Sequence, residues 1–131
     1  MTMEFIRKFI AQSNQFLSIL TPKLLKTAKK YNIKLTFFIL GQSLSKFLDL
    51  NKTKPNPVYK ENRAILRQMV ADGHAVGSHT FDHTNLSKLG TYDLQKQMNI
   101  TSSLIKRTVG IDVSLMRAPE GLVFFYRYLI L

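Results

Sequence analysis

The stretch ILRQMVADGHAVGSHT, residues 65–80, changes its period within a few residues. Ile65, Leu66, Met69 and Val70 fall at helical spacing, and Gly73 follows where a left-handed residue would close the helix. Pro57 stands where that helix can begin, which predicts about four turns. His74 to Thr80 then reads as a short strand.

The same alternation recurs on both sides. Upstream, LTFFIL (Leu35 to Leu40) is short, β-rich and almost continuously apolar, as a strand buried on both faces of a parallel sheet would be, and Gly41 ends it. Ahead of it, Thr21 and Pro22 predict a helix start, threonine as the cap and proline at the first helical position, with Leu24, Leu25 and Ala28 as its apolar face. Downstream, Thr91 is expected to cap a third helix, with Leu94, Met98, Leu104 and Ile105 inward and Gly110 as its stop. Val113 to Met116 reads as a third strand, and Lys52 to Pro57 (KTKPNP) as loop. Helix and strand alternating in this way imply an α/β fold of parallel strands with right-handed crossovers. Ligand sites in such folds lie at the carboxyl ends of the strands, where His79 and Arg117 both fall.

At 131 residues the chain fits one domain, and an apolar fraction of 45% excludes a disordered or low-complexity chain. The net charge of +11 favours anionic partners. The lysines are scattered over what read as solvated faces, however, and no RNA-recognition motif, basic heptad or paired-cysteine finger is present, so no nucleic-acid partner is expected. With no cysteine, a metal would have to be held by histidine and carboxylate. Residues 1–20 begin with Arg7 and Lys8 before apolar residues, but Gln12, Ser13, Asn14 and Gln15 interrupt the run and leave no convincing signal peptide. The apolar end LVFFYRYLIL is too short to span a bilayer and carries Arg127. N-x-S/T sequons begin at Asn51, Asn85 and Asn99.

His79 and His83 are the residues with most chemistry in them. A strand end followed by a turn can aim two neutral imidazoles at one ion. The alternative is that Ser78, His79, Thr80 and Asp82 only satisfy turn hydrogen bonds, and the spacing leaves both readings open.

Three blocks carry a family resemblance: TPKLLKTAKKYNIKLTFFILGQ from Thr21, ENRAILRQMVADGHAVGSHTFDHTNLSKL from Glu61, and MRAPEG from Met116. In order and spacing they resemble the polysaccharide deacetylases, the NodB-homology group that includes chitin deacetylases. The most specific element is D-G-H-x-x-G-x-H-[ST]-x-x-H, which Asp72 to His83 fill completely. The resemblance implies a partial, distorted (β/α) barrel over residues 21–121, preceded by an atypical segment 1–20 in place of the family's first strand and followed by an apolar tail 122–131 unlike the family.

It also implies zinc or another divalent metal bound by His79 and His83, a loop held by the Thr80 side chain, and a structural His74. Arg117 would orient the catalytic aspartate. The backbone amide of Glu120 would contact the oxyanion, although the family usually has an aromatic residue there and a carboxylate beside a developing oxyanion is unfavourable unless it turns away. The implied activity is hydrolysis of N-acetyl groups on a polysaccharide such as chitin by metal-activated water, with an aspartate as base and a histidine as acid. The T-F-D-D block that carries the base is replaced by SNQFLSIL, Ser13 to Leu20, which contains no carboxylate. The family's later aspartate and histidine blocks have no counterpart before Leu131. Asp82, Asp72 and Glu120 could stand in as ligands, but each has an ordinary turn, helix-end or loop role. The expectation is therefore a truncated, inactive deacetylase chain of extracellular or cell-wall location, with open strand edges that favour self-association. The alternative is a non-catalytic pseudoenzyme that binds a carbohydrate or wall polymer.

Overall fold

The computed structural model describes residues 14–119. In chain order the elements are helix α1 (Asn14–Lys30), strand β1 (Thr36–Ile39), the short helix α2 (Gly41–Leu44), helix α3 (Tyr59–Ala71), strand β2 (Ala75–Ser78), a 3-10 turn at Leu86–Lys88 and helix α4 (Thr91–Val109). The strands pair in parallel, with Thr36 opposite Ala75 and Ile39 opposite Ser78. The expected α/β architecture of parallel strands and crossover helices is observed.

α3 ends as its sequence requires. Gly73 takes φ +83°, a conformation that costs a residue without Cβ least. The Gly73 amide donates to the Val70 carbonyl at 3.0 Å and the His74 amide to that of Met69 at 3.0 Å, the paired bonds of a Schellman closure. This turn feeds the chain directly into β2.

Leu35, Phe37 and Ile39 point from β1 into a core shared with Leu25 and Ala28 of α1, Leu66 and Met69 of α3, Val76 of β2, and Leu104 and Ile105 of α4. β1 therefore alternates: Phe37 and Ile39 are buried, whereas Thr36 and Phe38 are only half-buried. The expectation of burial on both faces gives way to one face packed by helices. The opposite face carries Phe38 and its partner Gly77.

Two further boundaries differ from the sequence reading. α1 begins at Asn14 and runs through Pro22, so Thr21 does not cap it. Thr21 is wholly buried and its Oγ has no hydrogen-bond partner. An interior proline forfeits one helical hydrogen bond; burial of Leu25 and Ala28 just beyond it holds the helix continuous. The third strand contracts to one parallel bridge between Met116 and Ser78. Leu115 is 45% exposed, and among the described residues no further strand pairs beyond it. In α4 the cap position belongs to Gly90, with Thr91 the first helical residue. Among the described residues no helix is long and apolar enough to cross a membrane.

Candidate metal site

β2 hands its ladder on to the histidine loop. The His79 amide donates to the Ile39 carbonyl at 2.9 Å, which extends the parallel register one residue past the strand. By strand alternation His79 lies on the side of Gly77 and Phe38, away from the helices. The ring is 5% exposed. Its Nδ1 sits 2.8 Å from the carbonyl oxygen of Arg117, on the segment that bridges to Ser78.

That contact fixes the proton. A carbonyl oxygen can only accept, so Nδ1 is the N–H and Nε2 carries the free lone pair. Burial holds the His79 pKa down from 6.5 to about 4, against the hydrogen bond it donates to the Arg117 carbonyl, so the ring is neutral at physiological pH. The half-buried ring of His83 stands 4.9 Å away, centroid to centroid, at an interplanar angle of 60°. A neutral imidazole oriented by a carbonyl, with a second imidazole alongside, can coordinate a metal ion.

The loop between the histidines is held from two helices. The Gly41 and Gln42 amides of α2 donate to the Thr80 and Phe81 carbonyls, each at 2.9 Å. From α4, Gln97 Oε1 accepts from the Phe81 amide at 2.9 Å and from the Asp82 amide at 3.4 Å. Gln97 Nε2 donates to Asp82 Oδ1 at 2.8 Å, and the same oxygen accepts from the Thr84 amide and hydroxyl at 3.1 and 2.5 Å. This scaffold fixes two left-handed residues, Thr80 at φ +67° and His83 at φ +66°. Such a conformation is strained for a β-branched residue and persists only where its surroundings impose it.

Every expected site residue except Glu120 has a definite place. His79 and His83 are brought together, and Arg117 joins them through its carbonyl. His74 is buried at the other end of β2, where its Nδ1 accepts the Leu35 amide at 3.0 Å and its ring meets Phe37 edge-on, as a structural residue would. Burial lowers its pKa, with Lys34 acting in the same sense and Asp72 opposing. Thr80 holds the loop by its carbonyl rather than by its side chain, because its buried hydroxyl finds no partner. Asp72 belongs to the closing turn of α3, where its carbonyl accepts from Lys34 Nζ at 2.6 Å. Asp82 is occupied in building the loop. Among the described residues no three His, Cys, Asp or Glu side chains converge as a complete ligand set. Glu120 and Ser13 lie outside the described residues, as do the segment ahead of α1 and the apolar tail.

Gln97 and the α2 amides are the functional groups that the sequence reading missed. Gln97 stands with Leu94, Thr101, Leu104 and Ile105 on the buried stripe of α4, while Met98, expected inward, is half-buried. A polar residue on an apolar helical stripe was the available signal.

Comparison with known proteins bears on the fold and the family. The family model for polysaccharide deacetylases matches residues 6–126. A peptidoglycan-N-acetylglucosamine deacetylase of Bacillus cereus is 33% identical over 101 residues, covering 77% of this chain and 31% of its own length. A chitin deacetylase of Colletotrichum lindemuthianum is 34% identical over 99 residues, covering 76% and 36%. The solved structure of the peptidoglycan deacetylase PdaC from Bacillus subtilis superimposes with a TM-score of 0.68 at 27% identity, over 84% of this chain and 48% of that one. The chain thus spans about a third of the length of these curated relatives. On the family match and the shared fold, this chain belongs to the polysaccharide deacetylase family.

Proposed function

We propose that the chain carries the metal-binding part of a deacetylase that acts on N-acetylated polysaccharide, peptidoglycan or chitin in type, with His79 and His83 as ligands to zinc or another divalent ion. The observation that supports this most directly is the His79 Nδ1 to Arg117 carbonyl contact at 2.8 Å, which leaves Nε2 unprotonated on a ring whose centroid lies 4.9 Å from that of His83. A bound divalent ion supplies Lewis-acid polarisation of an acetyl carbonyl and of water.

The chain's own residues contribute orientation. Arg117 fixes His79 through its carbonyl, and its guanidinium is assigned to orienting a general base; the Glu120 amide is assigned to the oxyanion. Ser13 to Leu20 contain no carboxylate to serve as that base. This chain by itself is therefore expected to bind metal without releasing acetate. The missing carboxylate also favours a second reading, a non-catalytic chain that holds an acetylated wall polymer. An extracellular or cell-wall setting follows from either.

The test is a zinc titration of the 131-residue chain against a chromophoric chelator, run beside an acetate-release assay on N-acetylglucosamine oligomers. Equimolar binding that disappears in His79→Ala and His83→Ala is expected, with no acetate formed. Binding that ignores both substitutions would remove the metal site. Acetate release dependent on His79 would show that a base is present after all. Cosedimentation with chitin that survives His79→Ala would select the second reading.

A further inference from the structure

We propose that Gln97 is the positioning residue of the histidine loop: its buried amide sets the spacing of His79 and His83 and thereby the metal affinity of the site. The inference rests on the metal-binding reading above. Gln97 is 3% exposed, and it comes from the helix that follows the loop, 15 residues on from Asp82. Its carbonyl oxygen takes two consecutive loop amides, Phe81 and Asp82, and its amino group takes the Asp82 carboxylate. One side chain thus grips both the backbone and the side chain of the residue next to His83.

The polarity of the grip is specific. The loop presents N–H donors and a carboxylate acceptor side by side, and only a group carrying an acceptor and a donor on one planar end answers both. Glutamate at 97 accepts the amides but faces Asp82 with like charge, and leucine takes this partner from the buried Phe81 amide and the half-buried Asp82 amide. His83 adopts φ +66° immediately after Asp82, so release of Asp82 frees the ring that must stand 4.9 Å from His79. The α2 amides hold only the carbonyls of Thr80 and Phe81, which precede this hinge.

The test compares the 131-residue chain with Gln97→Leu, Gln97→Glu, Asp82→Asn and the Gln97→Glu/Asp82→Asn double variant. Zinc affinity is read by chelator competition and cobalt coordination by its visible spectrum, with circular dichroism and melting on the same samples. Gln97→Glu is expected to lose about 10- to 100-fold in affinity, the range for losing an outer partner of a ligand. Asp82→Asn alone should change little. The double variant should recover only part of that loss: asparagine at 82 removes the like charge, but the Oδ1 position meets both Gln97 and Thr84, and one asparagine atom cannot donate to the first and accept from the second. A purely structural glutamine would lower the melting temperature and leave affinity per folded molecule and the cobalt spectrum unmoved. Folded Gln97→Glu protein that binds zinc as wild type does overturns the proposal, as does a loss that Asp82→Asn leaves wholly unrelieved. Wild-type protein whose binding ignores His79→Ala overturns the metal-binding reading itself.

Discussion

Nδ1 of His79 and the carbonyl oxygen of Arg117 lie 2.8 Å apart although 38 residues separate them in the chain. The partner is backbone, so the orientation of His79 does not depend on which side chain occupies position 117. Arg117→Ala is therefore expected to keep zinc affinity within about tenfold of wild type, whereas His79→Ala should lose more than about 100-fold, beyond the range for an outer partner. Chelator competition on the folded variants checks both. A collapse of affinity in Arg117→Ala would place the guanidinium itself among the groups that hold the ion.

The depressed pKa of His79 makes stability depend on pH. Folding lowers this pKa from 6.5 to about 4, so between those values the unfolded chain binds more protons than the folded one. Stability should be complete above about pH 6.5 and fall as the pH drops toward 4, by about 3 kcal/mol at 1.36 kcal/mol per unit. His74 is shifted in the same direction and adds to the slope. Urea midpoints of the chelator-treated protein from pH 4 to 8 measure it, and His79→Gln should flatten the curve. A midpoint that rises on acidification would mean that His79 is not buried as a neutral ring.

The helix-to-strand switch at Gly73 could be read from sequence because local chemistry decides it: an apolar stripe, a left-handed glycine and a β-rich run all agree. The histidine pair could be read because both residues sit in one motif. The start of α1 could not, since Thr21-Pro22 has the local form of a helix opening while distant burial of Leu25 and Ala28 carries the helix through it. Val113 to Met116 has strand composition, but a strand's extent depends on neighbours, and only Met116 meets Ser78. The grip of Gln97 on Phe81 is tertiary as well: nothing near Phe81 in the chain announces that its amide is answered from α4.

Thr80 tests the loop from another side. Its hydroxyl is buried and has no partner, which penalises the folded state without compensation. Thr80→Val keeps the shape and removes that group, so it should be neutral or raise stability by up to about 1 kcal/mol. A loss larger than about 1 kcal/mol in chemical denaturation would show that the hydroxyl is engaged in the folded protein.

The three sequons differ in what the fold does with them. Asn51 and Thr53 are both exposed in a loop. Asn85 closes the 3-10 turn by accepting from the Ser87 amide and hydroxyl, and Thr101, which completes the Asn99 sequon, is fully buried with its hydroxyl on the Gln97 carbonyl. Fused to a eukaryotic secretion leader, the chain is expected to carry an N-glycan at Asn51 and at neither of the others once folded. Glycosidase-sensitive mobility that Asn51→Gln abolishes would bear this out, and a shift that persists in Asn51→Gln would place the glycan elsewhere.

Gly77 connects the sheet to the histidine pair. A Cβ there would lie 2.8 Å from the Leu115 carbonyl oxygen, 2.9 Å from Phe38 Cε1 and 3.0 Å from Leu115 Cβ. Two of these three atoms belong to the strand end that Ser78 holds, through its amide to Leu115 and its carbonyl to the Arg117 amide, each at 2.9 Å. Gly77→Ala must push that segment outward and carry the Arg117 carbonyl away from His79. It is expected to lower stability by about 1–3 kcal/mol, as overpacking does, and to weaken zinc binding by about 10-fold or more. Gly90→Ser is the control: nothing lies within 4 Å of a Cβ at that cap position, and a change of only a few tenths of a kcal/mol is expected. If Gly77→Ala melts and binds zinc as wild type does, the close approach of Leu115 to β2 is wrong, and the support it gives to His79 fails with it.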